Sequence, residues 1–306
     1  MKLLSLGFLL LMSACATAPR QSEALIENSG TLPRHAIVKD VPFVQQSKDF
    51  CGPASLAMTM NWAGNPIGVD ALGTQTFTPG KAGTLQADLI GASRRNGMLA
   101  VPVYGLTALL QEISAGHPVL VFQNVAFSWY PKWHYAVVLG YDLDTREITL
   151  HSGPDAFKKS NLKKFESSWA LGKYWGLVIL PSTELSASAD DLAQSAAAAG
   201  LEQAGKTPEA ELVYKNILKK WPASLGALIG LGNTRYAAQD FRASAKYLSE
   251  ATTRHPESSA AWHNLAIAQG AAGQSTRARR SAAEALALAT DAKTREAYLE
   301  SLKTWL

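Results

Sequence analysis

Cys51 stands in the run Val41-Pro-Phe-Val-Gln45-Gln46-Ser-Lys-Asp-Phe-Cys51-Gly52-Pro53-Ala54-Ser55, where an extended segment turns into a helix. At a helix N-terminus, unpaired backbone N–H groups and the positive end of the dipole both favour thiolate over thiol, so this cysteine is placed to act as a nucleophile. A proton carrier comes from Trp133-His134-Tyr135-Ala-Val-Val-Leu139-Gly140-Tyr141, which reads as a histidine entering a buried strand that ends at a glycine. A cysteine served by a histidine from a later strand attacks carbonyl carbon, the imidazole taking and returning the proton. A glutamine five or six residues before the cysteine can aim its amide at the developing oxyanion, and Gln45 and Gln46 both stand in that range. Adjacent side chains of an extended segment face opposite sides, so only one of the two serves.

The elements around these residues mix periods. Short β-type runs at 101–104, 119–122, 136–139 and 176–180 alternate with helical stretches at 51–62, 85–95 and 106–114. That mixture predicts an α+β domain with the nucleophile helix packed on a sheet. Residues 74–84, with their Gly and Pro, are expected to form a loop over the cleft. Phe127, Trp129, Tyr130 and Trp133, just before the histidine, suit an apolar wall or simple packing.

Together these segments resemble the C39-like cysteine peptidases, papain-fold relatives of the domains that cut leaders from bacteriocin precursors. Phe77-Thr-Pro79-Gly80-Lys-Ala-Gly83-Thr-Leu85-Gln86, with Ala92-Ser-Arg94-Arg-Asn-Gly97 after it, resembles a branch found as bacterial lipoproteins carrying helical repeats. The resemblance covers residues 36–182 and implies a papain-like fold, with Cys51 as nucleophile and His134 as its base. In that group an aspartate of an Asp-Pro pair at the end of the next strand orients the histidine. This chain has Ile148-Thr-Leu-His151-Ser152-Gly153-Pro154-Asp155 there. Ser152 takes the aspartate's position, while Asp155 follows on what is expected to be a loop, and either can hold the imidazole. A neutral serine stabilises imidazolium less than a carboxylate does. Gln45 has the papain-like spacing to Cys51, whereas Gln46 fills the slot that the resembling sequences use.

From 183 to 190 the composition shifts to a polar linker, and downstream the chain is alanine-rich and helical. An offset of 34 residues relates Pro222 to Pro256, Leu231 to Leu265, Ala251 to Ala285, and Ala210 to Ser244 and then Ala278, which is the tetratricopeptide period. Residues 191–306 are therefore expected to hold about three repeats and a closing helix, forming an all-α tetratricopeptide-repeat domain. Such a stack presents a concave groove for a peptide or protein partner, or serves assembly.

At the other end, Met1-Lys2, an apolar stretch from Leu3 to Met12, and Ser13-Ala14-Cys15 describe a secretory signal at 1–14. The small residues before Cys15 resemble a lipoprotein lipobox. Cys15 is then the lipidated first residue of a mature chain, and 15–35 a flexible tether. Ala16 is not the aspartate that signals inner-membrane retention, so the expected place is the outer membrane, facing the periplasm, with the lipid as the only membrane contact. The chain has 2 cysteines, and with one lipidated the other cannot form an internal disulfide. No metal or cofactor pattern is present, and a net charge of +4 spread over 306 residues gives no reason to expect nucleic acid.

The function expected from all this is a membrane-anchored thiol peptidase cleaving an exported peptide or protein, with the repeats recruiting substrate or partner. Two other readings compete. One is a cell-wall peptide hydrolase, in which His151 would orient His134. The other is a tethered adaptor whose papain-like domain only binds, motivated by the neutral Ser152.

Overall fold

The computed structural model describes residues 21–46, 49–78, 80 and 83–305. Cys15, the expected lipidation site, lies outside them. The first part runs α1 (Gln21–Glu27), β1 (His35–Ile37), α2 (Cys51–Trp62), α3 (Val69–Thr76), a small hairpin of β2 (Phe77–Thr78) and β3 (Gly83–Thr84), α4 (Gln86–Arg95), β4 (Leu99–Tyr104) and α5 (Leu106–Ser114). It continues with β5 (Val119–Asn124), β6 (Trp133–Asp142), β7 (Glu147–Ser152), β8 (Asp155–Asn161), α6 (Leu162–Leu171) and β9 (Trp175–Leu180).

Seven strands form one antiparallel sheet in the order β4-β9-β5-β6-β7-β8, and β1 pairs with the far end of β6. Both faces of β9 are buried, which explains its unbroken apolar run from Trp175 to Leu180. Strand alternation splits the core into two layers. Leu56, Met60 and Leu89 of α2 and α4 pack with Leu120, Tyr135, Leu177 and Ile179 on one face. Leu109, Ile113, Phe165 and Trp169 of α5 and α6 pack with Val101, Val121, Val138 and Val178 on the other. Helix α2, which begins at Cys51, thus lies on a sheet, the α+β arrangement expected.

Three local readings change. Residues 15–35 were expected to be a flexible tether, but Gln21–Glu27 form α1, with Leu25 buried. The Glu166 carboxylate accepts from the backbone N–H groups of Gln21 (2.7 Å) and Ser22 (3.0 Å), holding the positive end of that helix against α6. Of the stretch 74–84, residues 74–76 end α3, and Phe77–Thr78 pair with Gly83–Thr84 as β2 and β3, so these residues are not a free loop. The segment around Asp155 is strand β8, whose residues 158–161 pair with 147–150 of β7.

Beyond β9 the chain is helical: α7 (Asp191–Gln203), α8 (Thr207–Lys220), α9 (Leu225–Ala237), α10 (Phe241–Arg254), α11 (Ser259–Ala271), α12 (Ser275–Leu288) and α13 (Ala292–Leu302). Helices α7, α9 and α11 start 34 residues apart, as do α8, α10 and α12, so the sequence period is a structural one. Its punctuation repeats too. Asp190, Ser224 and Ser258 each accept a backbone N–H three residues on, from Ala193, Ala227 and Ala261. Ala210, Ser244 and Ala278 occupy equivalent, fully buried places on the second helix of each pair.

The two parts share a core. Ala197, Leu201, Val213, Tyr214 and Ile217 of α7 and α8 belong to the same apolar cluster as the α5–α6 face of the sheet. Residues 183–190 run across this seam and are pinned by Glu112, a fully buried carboxylate on α5. It accepts from Ser186 Oγ, from the Ser188 backbone N–H (2.8 Å) and hydroxyl (2.6 Å), and lies 2.7 Å from His117 Nδ1. The polar composition that reads as a linker is here a set of donors to one buried anion.

Candidate active site

Cys51 is the first residue of α2, following Phe50. Phe50 is wedged between α3 and β2: its ring stacks on Phe77, and an added Cβ at Gly73 would lie 2.6 Å from it. Gly52 must be small because a Cβ there would lie 2.7 Å from Thr84 Cβ of β3. These contacts fix the helix start against the sheet. The thiol sits within hydrogen-bonding reach of the Tyr135 backbone N–H, one residue after His134. Tyr135 itself is buried, and its hydroxyl donates to Thr84 O (3.0 Å). One strand therefore carries the proposed base, touches the proposed nucleophile and braces the hairpin beside it.

His134 Nε2 lies 3.0 Å from Ser152 Oγ. Nε2 is thus engaged, and Nδ1 is the other ring nitrogen. Asp155, the other candidate for orienting the ring, is exposed and pairs with Lys158 Nζ at 2.9 Å. His151 points elsewhere. Its Nε2–H donates to Val41 O (3.1 Å), its Nδ1 accepts from the Phe157 N–H (3.1 Å), and Phe43 and Phe157 pack edge-on against the ring. Both ring nitrogens are spent on backbone, so His151 clips the segment leading to Cys51 onto the sheet and is not available to orient His134. The cell-wall hydrolase reading loses its orienting histidine.

The two glutamines separate as adjacent extended residues should. Gln45 is exposed. Gln46 is half-buried, and its Nε2 lies 3.5 Å from where a Cβ of Gly153 would stand, beside Ser152 in the β7–β8 turn. Gly153 has φ +62, which also suits glycine there. Asn124 shapes the approach to His134 in a way sequence reading missed. Its Oδ1 accepts from the N–H groups of Ala126 (3.0 Å) and Lys132 (2.9 Å), and its Nδ2 donates to Phe127 O (3.1 Å). An asparagine closing an apolar strand before an aromatic turn was the available signal. The aromatic residues it holds are solvent-facing, Trp129 at 79% exposure and Phe127 at 65%.

Burial sets the resting charges. It pushes the Cys51 thiol above its ordinary range, and Asp49 pushes the same way. The N–H groups of Tyr135, Gly52 and Cys51 itself pull it down but are outweighed. Burial, together with the positive charges of Lys132 and Lys158, lowers His134 to about 4. At neutral pH the pair rests as thiol and imidazole, so the helix N-terminus alone does not produce a standing thiolate. Alkylation of Cys51 by iodoacetamide should accordingly rise with pH only above the ordinary thiol range. A rate plateau extending into acid, the mark of a preformed ion pair, would contradict this.

Residues 38–175 match the Peptidase_C39 like family, so the sheet-bearing part has the fold of C39-like cysteine peptidases. No curated protein matches the chain. Among solved structures, a C39-like peptidase from Bacillus anthracis is 19% identical, with a TM-score of 0.43, and the match covers 48% of this chain and 98% of that one. The peptidase domain of Streptococcus ComA, a bifunctional ABC transporter of a quorum-sensing pathway, is 20% identical, with a TM-score of 0.37 and the same coverage of 48% and 98%. A double glycine motif protease from an AMS/PCAT transporter, solved with its leader peptide, is 16% identical, with a TM-score of 0.38, covering 47% of this chain and 96% of that chain.

Proposed function

We propose that the protein is a cysteine peptidase that cleaves an exported peptide or protein, held at the membrane by lipid on Cys15, with its tetratricopeptide-like repeats recruiting substrate or partner. The observation that carries the reading is the line Cys51–Tyr135/His134–Ser152: a thiol at a helix start in reach of the N–H that follows His134 in the chain, and a His134 ring whose Nε2 is already held. In the reaction the Cys51 proton passes to His134 Nδ1 as sulfur bonds to the substrate carbonyl carbon. The oxyanion faces the Gln46 amide and the Cys51 backbone N–H. The tetrahedral species collapses, the C–N bond breaks, and His134 returns the proton to the leaving amine. Water then opens the thioester by the reverse proton path, releasing the acid and the free thiol. Incubating the purified protein with candidate exported peptides tests this. Cleavage by wild type and not by Cys51→Ala supports the reading, whereas cleavage by both would end it.

Ser152 supports a graded test. Ser152→Ala should lower kcat/KM about tenfold, by loosening the imidazole without removing a charge, and Ser152→Asp should equal or exceed wild type. With Asp155 turned to Lys158, Asp155→Asn should leave turnover within about twofold of wild type. A larger fall for Asp155→Asn than for Ser152→Ala would reverse the assignment.

The described residues include no helix long and apolar enough to cross a membrane. The anchor in this reading is the lipid. Cys15→Ala should then move the protein from the membrane fraction to the soluble fraction with its folded parts intact. Retention after a high-salt wash would remove lipidation from the proposal.

A further inference from the structure

Behind the Ser152–His134 contact lies a cavity of about 440 Å³, between the β5–β8 part of the sheet and α6. Its size suits one small organic ligand. Its chemistry is one-sided. Lys158 and Lys164 line it, together with Ser152, Ser160 and Gln123, and no carboxylate does. Lys158 shares its charge with Asp155, but Lys164 has no acidic partner among the described residues. Gln123 is only 5% exposed. Its Oε1 accepts from Ser168 Oγ (2.9 Å), which fixes the amide on the cavity wall. Phe165 gives the cavity an apolar side that a free ion in water would not need.

Two lysines among serine hydroxyls, with no carboxylate in the lining, call for an oxyanion of moderate size. Ser152 links the cavity to the site, because the same residue lines the one and bonds His134 in the other. The charges facing His134 are those of Lys132 and Lys158, both positive, where a thiol peptidase gains from a negative one. We propose that this cavity binds a small carboxylate, whose charge stands behind Ser152 and supplies the negative partner that His134 lacks among the described residues. The binding half of the proposal is independent of peptidase activity; the coupling half rests on the reading of Cys51 and His134 given above. The carboxylate can come from a free small molecule or from the C-terminus of a short peptide, and both present the same group to Lys164 and Gln123.

Titration calorimetry on the full chain with glutarate, with acetyl-Ala-Ala as the free acid, and with acetyl-Ala-Ala amide, at constant chloride, tests the site. Saturable binding of glutarate or the free acid, at least about tenfold weaker in Lys164→Glu, is expected, and the amide should not bind. Glutarate binding alone identifies a free metabolite-like ligand; binding of the peptide acid alone identifies a peptide end. Cys51→Ala should bind as wild type does, so a failure of catalysis leaves this result standing. Absence of saturable binding by either acid, or equal binding in Lys164→Glu and Ser160→Val, would overturn the site. The coupling is read from labelled His134 imidazole resonances. They should shift on saturation in wild type, and shift less than half as far in Ser152→Ala; no shift in wild type would overturn the coupling.

Discussion

Cys51→Ala, His134→Ala and the double variant should all fall to one floor, about a thousandfold or more below wild-type turnover. The reason is the resting state. With both groups neutral at pH 7, sulfur attacks only as its proton leaves for the imidazole, so neither residue helps without the other. Removing the second after the first then costs little. Measured kcat/KM values for the three variants on one substrate check this, provided each gives wild-type circular dichroism. Losses that multiply, each variant failing by its own factor and the double by their product, would show that one of the two residues acts through the fold.

The second large effect belongs to Glu112. Replacing it by alanine should cost about 3–5 kcal/mol, because Ser186, Ser188 and His117 would be left around a buried hole where an anion stood. Burial pushes this carboxyl up, yet the hydrogen bonds from His117, Ser186 and Ser188 outweigh it and hold the group below the ordinary carboxylate range. The unfolded chain therefore binds the proton more tightly than the folded one. Stability from Glu112 is complete above the ordinary carboxylate range and fades as pH falls through that range to the lower folded value. Thermal melts of wild type and Glu112→Gln should converge in acid and separate by pH 6. Parallel curves across that interval would show that the carboxylate is not ionised in the fold.

The placement of Cys51 and His134 was legible in the sequence because both lie at the ends of elements, where local chemistry speaks. Cys-Gly-Pro-Ala announces a helix start, and Trp-His-Tyr before an apolar run announces a strand entry. The repeats were readable for another reason: the cap of the first helix of each pair and the small residue buried on the second recur at one offset, so Asp190, Ser224 and Ser258 advertise the same turn three times. What escaped was set by register and by distance along the chain. Asp155 read as a candidate partner for His134, but the pairing shift between Leu150 and Ser152 makes it the opposite number of Ser152 across a tight turn, where Lys158 draws it outward. His151 read as a spare catalytic histidine, but its carbonyl partner lies 110 positions away, and no spacing rule reaches that far. Residues 21–27 looked like tether because their helix depends on Glu166, which only the fold brings near.

The shared apolar seam between the sheet and α7–α8 has a geometric consequence. Because one core runs through the sheet and α7–α8, the separation of Cys51 from that helix pair is set by packing and not by a hinge. In the proposed function, a substrate gripped by α7–α8 while one of its bonds reaches Cys51 would be measured: the number of residues between the gripped segment and the cut would be set by the protein, as a ruler sets a length. Selection by spacing tolerates wide variation in the residues between the two points and very little in their number. Inserting or deleting a few residues there should then matter more than changing their identity.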